Sequence, residues 1–397
     1  MIKLADKLNL INEPQTIAMA KAARQLAASG ADVINLSLGE PDFDTPEHIK
    51  LAAINAINEN FTHYTPVAGI PELKEAVCHK LNRDNNLTYN TENIVVSTGA
   101  KHSLMNAVMA IVNKGDEVII PTPYWVSYSE MVKLNEAIPV FIHTTVNDNY
   151  KINPEMLKKA ITPKTKLFIF SSPCNPTGSF YNMAELEQLV NVFLENPNIY
   201  IISDEIYEYI NYTGAHFSIA QFSDLKDRVI VINGLSKGFA MTGWRLGYMA
   251  ANKEIASACE KIQAQFTSAT CSITQKAAVA ALTGSLEPTL NMTKEFLKRK
   301  KLVQTALQQI PNILCNNPEG AFYFFPDISY YLNRTYNGKT ISTSSDLCMY
   351  LLNEAHVSLV TGEAFGAPEC IRISYAASEN KLQKACNRLK TALAKLV

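Results

Sequence analysis

The sequence predicts an α/β protein with a mostly parallel sheet, and three observations carry that prediction. Short runs rich in β-branched residues alternate with stretches of helix length. Those runs are apolar throughout instead of alternating with polar residues. The chain has 397 residues, more than one compact core holds. The strand candidates are NIVVS (93–97), DEVII (116–120), IPVFIH (138–143), KLFIF (166–170), IYIIS (199–203) and RVIVIN (228–233). Between several of them lie Lys101–Val112, Ser127–Leu134 and Met183–Leu194, each with the length and pattern of a helix. Continuously apolar strands alternating with helices indicate a sheet covered on both faces.

The elements follow in order. Thr45-Pro46-Glu47 reads as a helix start, with a capping threonine, proline at the first position and an acid in the first turn. Its expected buried stripe is Ile49, Ala52, Ala53, Ala56 and Ile57. The strand–helix alternation places a large domain over 45–290. From 291 the character changes: a charged helix leads to GAFYFFPDI, a helix near 344–355, a short IRISYA strand and a closing helix over 379–396. This reads as a smaller α+β domain over 291–397, joined by the N-terminal segment 1–44. A cleft between two such domains is a favoured ligand site.

Composition narrows the function. Apolar residues make up 47% and charged residues 18%, a globular balance with material for a core. The net charge of −1 gives no global attraction to nucleic acid or to an anionic membrane. The first residues, MIKLADKLNLINEP, lack a signal-peptide core, and no run reaches membrane-helix length. The 8 cysteines are scattered without a CxxC pair, so no zinc or other metal site is expected. They read as reduced core thiols of a cytoplasmic protein.

In a parallel α/β sheet the ligand lies beyond the carboxyl ends of the strands. After the first strand, Thr98-Gly99-Ala100-Lys101 opens a helix whose free N–H groups suit an anion. A glycine there also serves a plain turn. After KLFIF, the prolines of SSPCNPTG hold Asn175 rigidly, as they would in an ordinary turn. After IYIIS come Asp204 and Tyr207; the acid needs a cation or several donors, or else caps a helix. After RVIVIN come Ser236, Lys237 and Arg245, in a run of small and apolar residues. One ligand needs an anion nest, an amide, an acid and a lysine together: pyridoxal 5′-phosphate. Its phosphate needs the nest and a guanidinium, its ring nitrogen a carboxylate, and its aldehyde a lysine.

The ordered motifs Gly39-Glu40-Pro41-Asp42-Phe43, Tyr64-Thr65-Pro66-Val67-Ala68-Gly69, Ser97-Thr98-Gly99-Ala100-Lys101, Pro123-Tyr124-Trp125, Asn175-Pro176-Thr177-Gly178, Ser203-Asp204-Glu205-Ile206-Tyr207 and Ser236-Lys237-Gly238-Phe239 through Arg245 resemble the class I aminotransferases. The match runs through essentially the whole chain to Arg372-Ile373-Ser374-Tyr375 and is similar to the bacterial aspartate aminotransferases. The resemblance implies a fold-type-I, pyridoxal-phosphate-dependent transferase with a seven-stranded sheet. It implies that Lys237 holds the coenzyme through a Schiff base and then carries the proton between Cα and C4′. Asp204 would pair with the ring nitrogen, Asn175 and Tyr207 with the phenolic oxygen, and Trp125 would stack on the ring. The backbone of Gly99, Ala100 and Lys101, with Ser236 and Arg245, would hold the phosphate. Tyr64 would reach the phosphate of a neighbouring subunit, making a homodimer part of the site. Arg372 would grip the substrate α-carboxylate, helped by Gly39 and Asn175.

For the substrate, the resemblance matches Lys101 and Thr16 to the residues that receive a distal carboxylate. Aspartate, with 2-oxoglutarate as amine acceptor, is the implied pair. Relatives that accept prephenate carry a basic residue where Asn12 stands here. Three rivals are weighed. The first keeps the coenzyme but changes the reaction, to a β-lyase, a decarboxylase or an aminotransferase for aromatic or neutral amino acids. Lys101 with Thr16 argues against purely neutral substrates, and a broader range that includes aromatic amino acids or prephenate stays the alternative. A non-catalytic coenzyme-binding regulator would add a basic DNA-binding helix pair, which this sequence lacks. A nicotinamide dehydrogenase needs GxGxxG after a strand, and none is present.

Overall fold

The computed structural model describes residues 4–11 and 15–397, without the side chains of 15–18 and 20. The N-terminal segment forms helix α1 (Gln15–Ala28) and a two-residue strand, β1 (Ile34–Asn35). Next come α2 (Glu47–Asn58), α3 (Pro71–Asn85) and the strands of the main sheet: β2 (Ile94–Ser97), β3 (Glu117–Thr122), β4 (Ile138–His143), β5 (Thr165–Ser171), β6 (Tyr200–Asp204), β7 (Val229–Gly234) and β8 (Gly247–Ala250). Helices α4 (Ala100–Ile111), α5 (Ser127–Leu134), α6 (Pro154–Ala160) and α7 (Met183–Leu194) lie between these strands, and α8 (Lys253–Phe266) and α9 (Ser272–Thr283) follow them. The sheet has seven strands in the order β2-β8-β7-β6-β5-β3-β4. All neighbours pair in parallel except β8, which is antiparallel to both β2 and β7.

Both faces of the inner strands β5, β6, β7 and β8 are buried, while the edge strand β4 exposes Ile138 and Phe141. Val231 and Ile201 point into one core with Ile49, Val77, Leu186 and Ala277. Their neighbours Ile232 and Ile202 point into the opposite core with Leu104, Val132 and Cys259. Each such side chain stabilises the fold by roughly 1.5–3 kcal/mol. The strand centres are apolar and read as near-continuous apolar runs, while the buried polar residues Ser97, Thr122, Ser171, Ser203, Asp204 and Asn233 stand toward the strand ends.

A further core gathers the rest of the chain. Helix α10 (Glu287–Leu307), β9 (Tyr323–Phe324), the hairpin β10 (Thr335–Tyr336) and β11 (Lys339–Thr340), α11 (Ser344–Ala355), β12 (Val357–Ser358), β13 (Val360–Thr361), β14 (Ile371–Ser374) and α12 (Glu379–Leu393) surround it. Strands β13, β14 and β9 form an antiparallel sheet, and β1 pairs in parallel with β12. Met19, Ala23, Ile34 and Leu36 join this core, so the N-terminal segment packs with the C-terminal residues. Among the described residues, no helix is long and apolar enough to cross a membrane.

Three local expectations change. Thr45 does not cap α2: Pro46 is the N-cap residue and no side chain caps it. The Thr45 hydroxyl instead donates to the Ala240 carbonyl (2.8 Å) and accepts from Trp244 Nε1 (3.0 Å), tying the N-terminal segment to the Lys237 loop. On α2, Ile49, Ala53 and Ala56 are buried but Ile57 is 52% exposed, because Leu51, Ile54 and Ile57 form a second apolar face turned outward. Strand β8 has no counterpart among the runs read from the sequence; it is four residues long and follows the lysine motif without a turn signal. The eight cysteines are free as expected, although Cys271 is exposed and not a core thiol.

Candidate active site

The carboxyl ends of β5, β6 and β7 and the first turn of α4 converge on a cleft of about 530 Å³. Its lining includes Gly39, Ala100, Lys101, Trp125, Tyr128, Asn175, Asp204, Tyr207, Ser236, Lys237, Arg245 and Arg372. Residues separated by more than 300 positions thus share one wall.

Lys237 follows β7 at the cleft floor. Its amine donates to the Gly39 carbonyl at 2.6 Å and has no carboxylate within ion-pair distance among the described residues. Burial, opposed by Glu40 and reinforced by Arg372 and Arg245, pulls this amine down to about 8. A large share of it is therefore the neutral nucleophile at mildly alkaline pH.

Asp204 closes β6 and is buried. Its Oδ2 accepts from the Tyr128 hydroxyl at 2.7 Å and its Oδ1 from the Ile206 N–H at 3.2 Å. Burial pushes the carboxyl up to about 6, and these two donors oppose the rise.

At the start of α4 the backbone turns at Gly99, whose φ is +86°. A Cβ there would lie 2.4 Å from Arg245 Nη2, so the guanidinium lies directly over the turn. A Cβ on Gly247 would lie 2.2 Å from the Ala100 nitrogen. Strand β8 therefore presses on the helix start, and only glycines permit that approach. Arg245 is itself in the left-handed region (φ 52°), with Nη1 donating to the Thr242 carbonyl at 2.8 Å. Guanidinium, helix N-terminus and the nearby buried Ser236 together make an anion cradle.

On the facing wall, Arg372 in β14 is buried. It donates from Nη1 to Asn175 Oδ1 (3.0 Å) and from Nη2 to the Ser37 carbonyl (2.6 Å), while Nε has no partner among the described residues. Its guanidinium lies 4.5 Å from the Tyr323 ring and 5.0 Å from the Phe365 ring. No carboxylate pairs with it among the described residues, so its charge faces a cleft suited to an anion. Burial lowers its affinity for the proton, with no change of charge at working pH. Lys101 stands on the α4 side with Nζ 5.0 Å from the Trp125 ring, its affinity for the proton lowered by burial and by Arg245.

The structure brings Gly39, Gly99, Ala100, Lys101, Trp125, Asn175, Asp204, Tyr207, Ser236, Lys237, Arg245 and Arg372 together. Tyr64 is not among them: it is 99% exposed and outside its own cleft. Thr16 lies in α1 with its side chain outside the described residues, and Asn12 lies outside them altogether. Tyr207 lines the cleft, and its hydroxyl pairs with that of Tyr323 at 2.8 Å. Sequence reasoning missed Tyr128 and Tyr323. Tyr128 stands three residues after Trp125, the spacing of one helix face, and the two rings meet edge to face at 5.5 Å. Tyr323 has no such signal; its hydroxyl fills the space above Gly39, 2.8 Å from where a Cβ would sit.

The donor set fits pyridoxal 5′-phosphate. The cradle under Arg245 suits a phosphate, Asp204 a ring nitrogen, and Lys237 an aldehyde.

Comparison with known proteins agrees with this chemistry. The aminotransferase class I and II family matches residues 31–389. A bifunctional aspartate aminotransferase and glutamate/aspartate-prephenate aminotransferase of Petunia hybrida is 47% identical over 399 residues, covering 99% of this chain and 83% of that protein. The crystal structure of the aspartate aminotransferase from Rhizobium meliloti superposes with a TM-score of 0.97 at 42% identity, covering 100% of both chains. The aspartate aminotransferase from Thermus thermophilus with maleate superposes with a TM-score of 0.93 at 37% identity, covering 99% of this chain and 100% of that one.

Proposed function

Because the chain belongs to the class I and II aminotransferases and is a pyridoxal-phosphate-dependent enzyme, we propose that its amino donor is L-aspartate and its acceptor 2-oxoglutarate. Aspartate would leave as oxaloacetate before 2-oxoglutarate enters to leave as glutamate. The observation that carries this reading is the pair of cations in one cleft: Arg372, with no carboxylate partner among the described residues, and Lys101 on the α4 side. Two carboxylates of one substrate need two such groups. The names of the relatives, and the dicarboxylate maleate with one of them, support the same choice.

When bound, the coenzyme supplies an aldehyde that takes the amine and a ring that accepts the electron pair released at Cα. Lys237 would take the proton from Cα and return it two bonds away, at C4′ of the coenzyme. A base near 8, held by the Gly39 carbonyl, is matched to that task. Asp204 would face the ring nitrogen, with Asn175 and Tyr207 at the phenolic oxygen and Trp125 against the ring. Gly99, Ala100, Lys101, Ser236 and Arg245 would hold the phosphate. Arg372 would grip the α-carboxylate beside Gly39 and Asn175, and Lys101 with Thr16 would receive the distal carboxylate. These two clamps fix the Cα–H direction.

A second subunit completes the reading. Tyr64 projects into solvent, and Leu51, Ile54, Ile57 and Phe266 leave apolar surface uncovered nearby in sequence or on the same core helices. A homodimer in the cytoplasm, with Tyr64 reaching the neighbouring phosphate, accounts for both. The division into 1–44, 45–290 and 291–397 belongs to the same proposal and is supported by the separate cores.

Prephenate is the second reading, favoured by the Petunia relative's name; it too carries two carboxylates. The deciding measurement is absorbance of the holoenzyme as L-aspartate is added without an oxo acid. The long-wavelength coenzyme band should fall and the band of the aminated coenzyme rise. A yellow protein indifferent to aspartate would sink the donor assignment, and reversal of the change by prephenate as well as by 2-oxoglutarate would establish the broader acceptor range.

A further inference from the structure

We propose that Tyr128 is a positioning residue for the amino-transfer reaction: its hydroxyl orients the Asp204 carboxylate and keeps it a weak base. The inference rests on the reading of Asp204 as partner of the coenzyme ring nitrogen.

Asp204 stands where a carboxylate is hardest to keep ionised. It is 4% exposed, at the end of a central strand, and its carboxylate receives two hydrogen bonds among the described residues. One is a backbone N–H two residues along its own chain, which follows the loop and fixes little. The other is the Tyr128 hydroxyl, 2.7 Å from Oδ2, reaching across from α5. Tyr128 is 1% exposed, its ring packs edge to face on Trp125, and it lines the cleft beside Asp204. Its hydroxyl has one charged partner and a fixed direction.

The other groups around Asp204 do not replace this donor. Glu205 disfavours its charge, Lys237 supports it weakly, and Cys174 and Tyr207 are neutral neighbours. Burial pushes the Tyr128 hydroxyl well above its ordinary range, so it serves only as a donor. A hydrogen bond to the charged form lowers the basicity of a carboxylate. With Tyr128 in place, Asp204 competes poorly for the proton it shares with the ring nitrogen, and the proton stays on nitrogen. Without it, Asp204 becomes more basic and draws the proton to itself, and the electron-accepting power of the ring falls.

The test uses holoenzyme loaded with coenzyme labelled with nitrogen-15 in the ring, in wild type, Tyr128→Phe, and a variant with 3,5-difluorotyrosine at position 128. Phenylalanine keeps the packing on Trp125 and removes only the hydroxyl; the difluoro residue keeps the hydroxyl and makes it a stronger donor. In wild type the ring nitrogen should remain protonated from about pH 6.5 to 9. In Tyr128→Phe its chemical shift should move toward the unprotonated value. There kcat should fall about tenfold and the coenzyme should dissociate roughly tenfold faster, the loss of one hydrogen bond to a charged group. The difluoro variant should shift the resonance the opposite way. Identical nitrogen shifts in all three proteins would overturn the proposal, as would equal changes in both variants, which would mark a packing role alone. A wild type whose ring nitrogen is unprotonated would overturn the Asp204 assignment together with this one.

Discussion

Two lysines of this chain meet opposite fates inside the same α/β domain. Lys80, in α3, is 0% exposed. It pairs with Glu208 and donates to Asn85 Oδ1 at 2.6 Å, while Asn85 in turn donates to Glu208 at 2.8 Å. Every charge in that cluster has a partner. Glu205, Glu208 and His216 crowd together there, and the Lys80 ammonium supplies the positive charge that such a group needs. Lys237 receives no such partner: a carbonyl holds its amine, and two arginines lie near enough to disfavour its charge. A buried lysine paired with a carboxylate is held in its charged form; buried without one, as at 237, its charge is disfavoured.

Exchanging the two roles in experiment gives the sharpest separation. Lys237→Ala should cost at least about 10³-fold in turnover, a general-base loss, while the apoprotein melts near the wild-type temperature. A near-wild-type rate would end the comparison. The same variant carries a pH signature. The folded amine binds its proton less tightly than the unfolded chain does, with values of about 8 against 10.5. The unfolded state therefore holds more protons between those values, and apoprotein stability should rise across that window as pH increases. Lys237→Ala should lack that portion of the rise, which urea titrations at pH 8 and pH 10 would detect.

Lys80→Met should do the reverse. It leaves Glu208 buried and uncompensated, a loss of about 3–5 kcal/mol in urea unfolding with kcat of the folded protein unchanged. Lys80→Met with Glu208→Leu should recover most of that stability, since no charge is then stranded. A single-variant loss below about 1 kcal/mol would place the cluster among weak surface pairs.

Lys101 is a third kind of lysine, exposed at the cleft and proposed to receive the distal carboxylate of the substrate. Lys101→Ala should weaken aspartate about tenfold relative to alanine in kcat/KM, the loss of one charged contact. Equal losses for both amino acids would remove its distal-carboxylate role and leave only its contact with Trp125.

What the sequence determined by itself was local. Apolar runs marked six of the main-sheet strands, β2 to β7, because the centres of the inner strands bury both faces. Glycine at 99, the acid that closes β6 and the lysine after β7 stood out because strand ends are where a parallel sheet exposes ligands. Tertiary structure decided the rest. Strand β8, GYMA, has no β-branched residue to mark it, yet it lies between β2 and β7, where Gly247 lets it press on the first turn of α4. Thr45 looked like a cap and became a tie to the Lys237 loop. Arg372, Gly39 and Tyr323 meet through pairings across the whole chain. The Tyr128–Asp204 bond spans 76 positions. Periodicity reports the face a side chain turns inward; only the folded packing of distant segments determines which partner it finds there.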